Sequence, residues 1–97
     1  MSQLKSKVVI INKRRTSVRL CNSEWVALEG VCKRERISRN KLIESIENQK
    51  NQNLGLTGSI RLFSIIYYHT LAEELKPKTN IAYKNEYLEK ILNNVKF

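Results

Sequence analysis

The chain has no long apolar run. Its two longest are Val8-Val9-Ile10-Ile11 and the stretch from Leu62 to Tyr68, the latter interrupted by Ser64, whereas a membrane-spanning helix needs roughly 20 consecutive apolar residues. No transmembrane segment is expected. Four apolar residues behind Lys5 and Lys7 are also too few for the core of a secretory signal, and no small-residue cleavage site follows. The expected location is the cytoplasm. Cysteine is scarce: Cys21 and Cys32 flank or lie in one helical segment, and eleven residues at 1.5 Å rise separate them by about 16 Å, beyond disulfide reach. Both are expected to be reduced packing residues.

Chemistry-bearing constellations are equally few. The single histidine, His69, has only Glu73 at helical ligand spacing, and two ligands do not make a metal site. Gly55-Leu56-Thr57-Gly58 has the spacing of an RNA-binding G-x-x-G loop, but lacks basic central residues and the flanking element order. No nucleophile elbow, phosphate-binding loop, dinucleotide fingerprint or paired-carboxylate arrangement is present. An enzyme, a cofactor and a metal are therefore not expected. The only proline is Pro77, no internal repeat occurs, and the one biased stretch is the Asn/Gln-rich tract at 48–53.

Acidic residues are in the minority. Against 18 Lys+Arg stand 9 Asp+Glu, a net charge of +9, and the excess is unevenly placed. Residues 1–41 hold eleven basic side chains (Lys5, Lys7, Lys13, Arg14, Arg15, Arg19, Lys33, Arg34, Arg36, Arg39, Lys41) and three acidic ones (Glu24, Glu29, Glu35), a net of +8. Residues 42–97 hold seven and six, a net of +1. Such a distribution points to a polyanionic partner, nucleic acid first and an anionic membrane surface second. The 97 residues make one domain, small enough that dimerisation is a natural source of further burial.

Along the chain, Arg15-Thr16-Ser17-Val18-Arg19-Leu20 alternates, with Arg15, Ser17 and Arg19 on one side and Thr16, Val18 and Leu20 on the other. This predicts a short strand with a basic face. Val8–Ile11 is a second strand candidate, and Asn12-Lys13 either turns the chain or continues it. From Asn22 the period becomes helical, through Trp25, Leu28, Val31 and Cys32, with Asn22 or Ser23 as cap and helix one running from about Ser23 to Glu35. After Ile37, Ser38 caps helix two, whose apolar stripe is Leu42, Ile43 and Ile46. Thr57 is the expected cap of a third helix from about Ser59 to Lys76, apolar on more than one face and so expected to be buried on two sides, in its own fold or at a subunit contact. Pro77 ends it. A final amphipathic segment in residues 77–97 has Ile81, Leu88, Ile91, Leu92 and Val95 on one side.

One basic strand ahead of two amphipathic helices is an unusual order. A lone strand cannot satisfy its own backbone groups, and antiparallel pairing between two chains solves this while burying Val18 and Leu20 and facing Arg15, Ser17 and Arg19 outward. A two-stranded ribbon of that kind fits the major groove of B-DNA. Residues 13–50 resemble the ribbon-helix-helix (MetJ/Arc class) DNA-binding proteins, through the strand Arg15–Leu20, Leu28 and Val31-Cys32 on helix one, and Ile37-Ser38-Arg39-Asn40-Lys41-Leu42-Ile43 at the turn into helix two. More narrowly, Trp25, Asn53-Leu54 and Ser59-Ile60-Arg61-Leu62-Phe63 are similar to a bacterial subfamily with an added third helix, over about residues 8–70.

The resemblance implies a mainly α fold with one short strand (α+β), assembled as a strand-paired intertwined homodimer with additional C-terminal helices. Residues 1–12 would be an N-terminal arm or extra strand, 13–50 the ribbon-helix-helix core, 51–76 the loop and third helix, and 77–97 the C-terminal helix. It implies a sequence-specific DNA-binding protein and transcriptional regulator acting on double-stranded DNA. Arg15, Ser17 and Arg19 would contact base edges. Lys13, Arg14, Ser38, Arg39, Asn40 and Lys41 would contact phosphates, through the helix-start amide groups around Ser38, Arg39 and Asn40 and the charges of Lys13, Arg14, Arg39 and Lys41. Val18, Leu20, Trp25, Leu28, Cys32, Leu42, Ile43 and Ile46 would form the dimer core. Two departures stand out: Arg36 occupies a turn where many members have glycine, and Thr16 puts a hydroxyl on the strand's inner face. The competing readings are a protein-interaction module, such as an antitoxin or assembly adaptor using the third helix and tail, and a helix-turn-helix protein in which helix two enters the groove.

Overall fold

A computed structural model of the chain describes residues 3–75 and Leu92. It begins with two strands, β1 (Leu4–Ile11) and β2 (Arg14–Cys21), paired antiparallel in a register running from Ile11 opposite Arg14 to Leu4 opposite Cys21. Asn12-Lys13 turns the chain. Both residues have positive φ, 50° and 70°, as a type I′ hairpin turn requires, and asparagine tolerates that conformation better than most side chains. Helix two secures the turn: the Asn12 backbone N–H donates to Glu44 Oε2 at 2.8 Å, and Asn12 Nδ2 donates to Asn48 Oδ1 at 3.1 Å. The strand partner that β2 needs is therefore supplied within the chain, by a second strand of equal length.

Three helices follow. α1 (Asn22–Glu35) begins one residue earlier than the periodicity suggests. Its cap is Cys21, whose N–H is taken by the Glu24 carboxylate at 2.9 Å, so the N3 carboxylate of a capping box does the work expected of Asn22 or Ser23. α1 ends at Arg36, in the left-handed region at φ 55° and ψ 49°, with its N–H bonded to the Cys32 carbonyl. That conformation is one glycine adopts freely, which accounts for the glycine the resemblance leads one to expect at this turn: a Cβ there costs roughly 1–2 kcal/mol. Arg36→Gly is expected to raise the unfolding free energy by up to about 1 kcal/mol, since relief of strain exceeds the entropy glycine adds to the unfolded chain. Urea denaturation at unchanged m-value checks it.

α2 (Arg39–Gln49) starts as expected on Ser38, whose Oγ accepts from the Lys41 N–H at 3.1 Å. α3 (Leu56–Glu74) starts earlier than expected, on Gly55. Thr57 lies inside its first turn rather than capping it, and Ser59 Oγ donates to the Gly55 carbonyl at 2.9 Å. The cause is Leu56, which packs against the core and draws one more turn of backbone into the helix. α3 buries one broad face, through Ser59, Ile60, Phe63 and Tyr67, while Ile65 stays 66 % exposed. Burial on two sides does not occur within the described chain.

One core unites these elements. The inner sheet face (Val9, Ile11, Val18, Leu20) meets Trp25, Leu28, Val31 and Cys32 from α1, Leu42, Ile43 and Ile46 from α2, and Ile60, Phe63 and Tyr67 from α3, with Leu92 buried in the same cluster. All eight residues expected at a dimer core are thus buried inside a single chain, because β1 and α3 cover surfaces that two helices and one strand would leave open. Glu35 is buried at the end of α1 and accepts a hydrogen bond from the Tyr67 hydroxyl. The next tyrosine, Tyr68, donates to the Ala27 carbonyl at 2.6 Å. Its hydroxyl lies only 2.5 Å from where a Cβ of Gly30 would stand, so glycine in mid-helix permits this close α1–α3 contact. Apart from Leu92, the amphipathic segment read in residues 77–97 lies outside the described residues.

Candidate nucleic-acid interface

The alternation in β2 is realised in space. Arg15, Ser17 and Arg19 are exposed on the outer face of the hairpin, Val18 and Leu20 are buried beneath it, and Thr16 is half-buried, which accommodates its hydroxyl at the edge of the core. The outward row of β1 is Leu4, Ser6, Val8 and Ile10, all exposed. Ser6 Oγ and Ser17 Oγ are 2.6 Å apart and join the two rows.

The start of α2 is fixed against the ribbon by one side chain. Asn40 Oδ1 accepts from the Ile10 backbone N–H at 2.6 Å and Asn40 Nδ2 donates to the Ile10 carbonyl at 2.7 Å, so its carboxamide takes the place of a neighbouring strand on the outer edge of β1. The Asn40 side chain is therefore engaged by backbone, while the phosphate contact expected here falls to the amide groups of the first turn. The first-turn amides remain: Lys41 N–H is taken by Ser38 Oγ and Leu42 N–H by the Ser38 carbonyl, while those of Arg39 and Asn40 have no protein partner among the described residues. Free N–H groups at a helix N-terminus favour an anion.

The remaining predicted cations divide. Lys13 at the hairpin tip, Arg14 beside it and Lys41 on α2 are exposed. Arg39 is partly committed: its guanidinium lies 5.6 Å from the Trp25 ring centroid and 3.6 Å from Glu29 Oε2. Lys7 also approaches Trp25, at 5.4 Å, and the indole Nε1 donates to the Lys5 carbonyl at 2.9 Å. Trp25 is thus a buried pillar joining β1, α1 and the start of α2. Sequence reasoning missed the outward row of β1 and the clamp made by Asn40. In Val8-Val9-Ile10-Ile11 no polar residue marks which positions face out, and nothing local announces that an asparagine thirty residues on will bind Ile10.

Away from the ribbon, Arg61 Nε donates to Glu24 Oε2 at 2.5 Å and a second guanidinium nitrogen to Oε1 at 3.2 Å. This bond, helped by the Cys21 N–H, holds the Glu24 carboxyl below its ordinary value. A carboxylate with a lowered folded-state value stabilises the fold above its unfolded value and loses that contribution as pH falls through the folded one. Because the pair is partly solvated, its contribution is expected to be well under 1 kcal/mol. Glu24→Gln should flatten the loss of stability below about pH 4.5, measured by thermal melting across pH 3 to 6. At Cys32, burial and then the nearby Glu29 push the thiol up to about 11, as suits a packing residue.

Among the described residues no group of three His, Cys, Asp or Glu is placed to hold a metal ion, and no helix is long and apolar enough to cross a membrane. No curated protein and no solved structure matches the chain. A family model described as a ribbon-helix-helix domain matches residues 4–68, a span that runs from the first residue of β1 into α3. The chain therefore belongs to the ribbon-helix-helix domain family, whose members are generally DNA-binding transcriptional regulators or antitoxins.

Proposed function

We propose that the protein is a sequence-specific DNA-binding transcriptional regulator that sets its antiparallel ribbon into the major groove. The observation that carries this reading is the exposed row Arg15, Ser17 and Arg19 on a ribbon to whose edge Asn40 clamps the N-terminus of α2. Arginine makes bidentate contacts with guanine O6 and N7, and serine accepts or donates to any base edge. The first-turn amides of α2, with Lys13, Arg14, Arg39 and Lys41, grip the phosphates on either side and set the register. Family members bind DNA as dimers, and a homodimer is the binding unit taken here. Under the helix-turn-helix alternative the side chain of Asn40 enters the groove, whereas here it holds Ile10.

Affinity for duplex DNA measured as a function of salt is the direct test of the phosphate contacts. Eight neutralised phosphates, four from each protomer, give a log–log slope of about −7, so the affinity is expected to fall roughly ten-thousandfold between 50 and 200 mM salt. An affinity that hardly changes over that range contradicts the reading.

A further inference from the structure

The outward face of the ribbon is not polar throughout. The register sets Ile10 opposite Arg15, Val8 opposite Ser17 and Ser6 opposite Arg19, and opposed residues of an antiparallel pair project to the same side. Val8 and Ile10 are 50 % and 51 % exposed, although Val9 and Ile11 on the reverse of the same strand are in the core. The face therefore sets the apolar Val8 and Ile10 beside the cations Arg15 and Arg19, with the exposed Lys13 at its tip.

Charge decides what can cover it. A second copy stacked on this face would bring its own Arg15 and Arg19 against the same arginines, and a neutral apolar partner would bury them without compensation. A polyanion meets neither objection. Two strands about 4.8 Å apart fit a major groove about 12 Å wide, so the hairpin of one chain is already a ribbon of the right width. Within that groove, the apolar group that base edges offer is the C5-methyl of thymine.

Resting on the DNA-binding reading above, we propose that Val8 and Ile10 are specificity-determining residues that pack on thymine methyl groups. One chain then reads a mixed element, guanine through Arg15 and Arg19 and thymine through Ile10 and Val8. The strand rise of about 3.4 Å per residue is close to the spacing of bases along each DNA strand, so the thymines lie within about two base pairs of the guanines.

The test uses the full chain and the tightest duplex it selects from a random pool. Each thymine is replaced in turn by deoxyuracil, which lacks only the methyl. At one or more positions the wild-type protein should lose about fourfold in affinity, the weight of one buried methylene-sized group. Val8→Ser and Ile10→Ser proteins, and the shape-conserving Val8→Thr as a control on folding, are compared on the same duplexes. The serine variants should bind thymine and uracil duplexes alike while keeping their guanine preference and salt slope. If wild type binds both duplexes equally with its salt dependence intact, the methyl contacts are disproved and the DNA-binding reading stands. If no duplex is selected and binding is insensitive to salt, both fall. If the serine substitutions instead convert a dimer into a monomer without DNA, the face is a self-contact and the proposal is overturned.

Discussion

Truncating Phe63 to alanine is expected to cost about 3–5 kcal/mol of unfolding free energy. Its ring is fully buried in the core, 5.8 Å from that of Tyr67, and the space it leaves is walled by regular elements that can collapse only in part. A domain of this size has roughly 5–15 kcal/mol in total, so the variant should sit near its unfolding midpoint at modest denaturant. Urea denaturation at a constant m-value measures the change. A cost under 1 kcal/mol would mean that α3 is an appendage rather than a wall of the same core.

The second large effect is on recognition. Arg15→Ala and Arg19→Ala should each remove about 1–3 kcal/mol of discrimination at one base pair, relaxing the consensus there. Because both side chains are exposed on the outer face, the cost to stability should stay within about 0.5 kcal/mol. Lys13→Ala should behave differently. On the proposed reading, removing this cation from the hairpin tip of both protomers weakens binding uniformly across sequences and lowers the salt slope by about one per protomer. Competition binding against a panel of single-base variants of one duplex separates the two behaviours.

Much of this arrangement is legible in the chain itself. The strand from Arg15 to Leu20 announces both its faces because outward and inward residues alternate without a break, and Ser38 marks the start of α2 because its side chain offers an acceptor where the backbone needs one. The stripe of Leu42, Ile43 and Ile46 is equally plain. What escapes is what depends on distant partners. Val8–Ile11 carries no alternation, so its pairing with β2 rests on Asn12 and Lys13 both adopting positive φ, without the glycine that usually signals such a turn. The cap on α1 belongs to Glu24 rather than to the asparagine and serine beside it. The extra turn of α3 follows from a tertiary contact of Leu56 that outweighs the helix-weakening Gly58.

The same distinction applies to the interface. A local pattern is enough to group Arg15, Ser17 and Arg19, and the structure sets them on one exposed row. The position of Asn40 at a helix start points to its backbone amide as a phosphate donor, but nothing local reveals that its carboxamide reaches a backbone thirty residues earlier. The residues that the resemblance assigns to a dimer core are already buried within one chain, since apolar spacing reveals that a side chain is buried but not which chain buries it.

The central claim is that the outer row of β2 reads bases. Selection from random duplexes, run in parallel with wild-type protein and an Arg15→Ala/Arg19→Ala double variant, tests it most directly. Wild type should enrich a guanine-containing consensus, and the variant should retain weak, salt-dependent binding while enriching none. Recovery of the same consensus by both proteins would contradict the account.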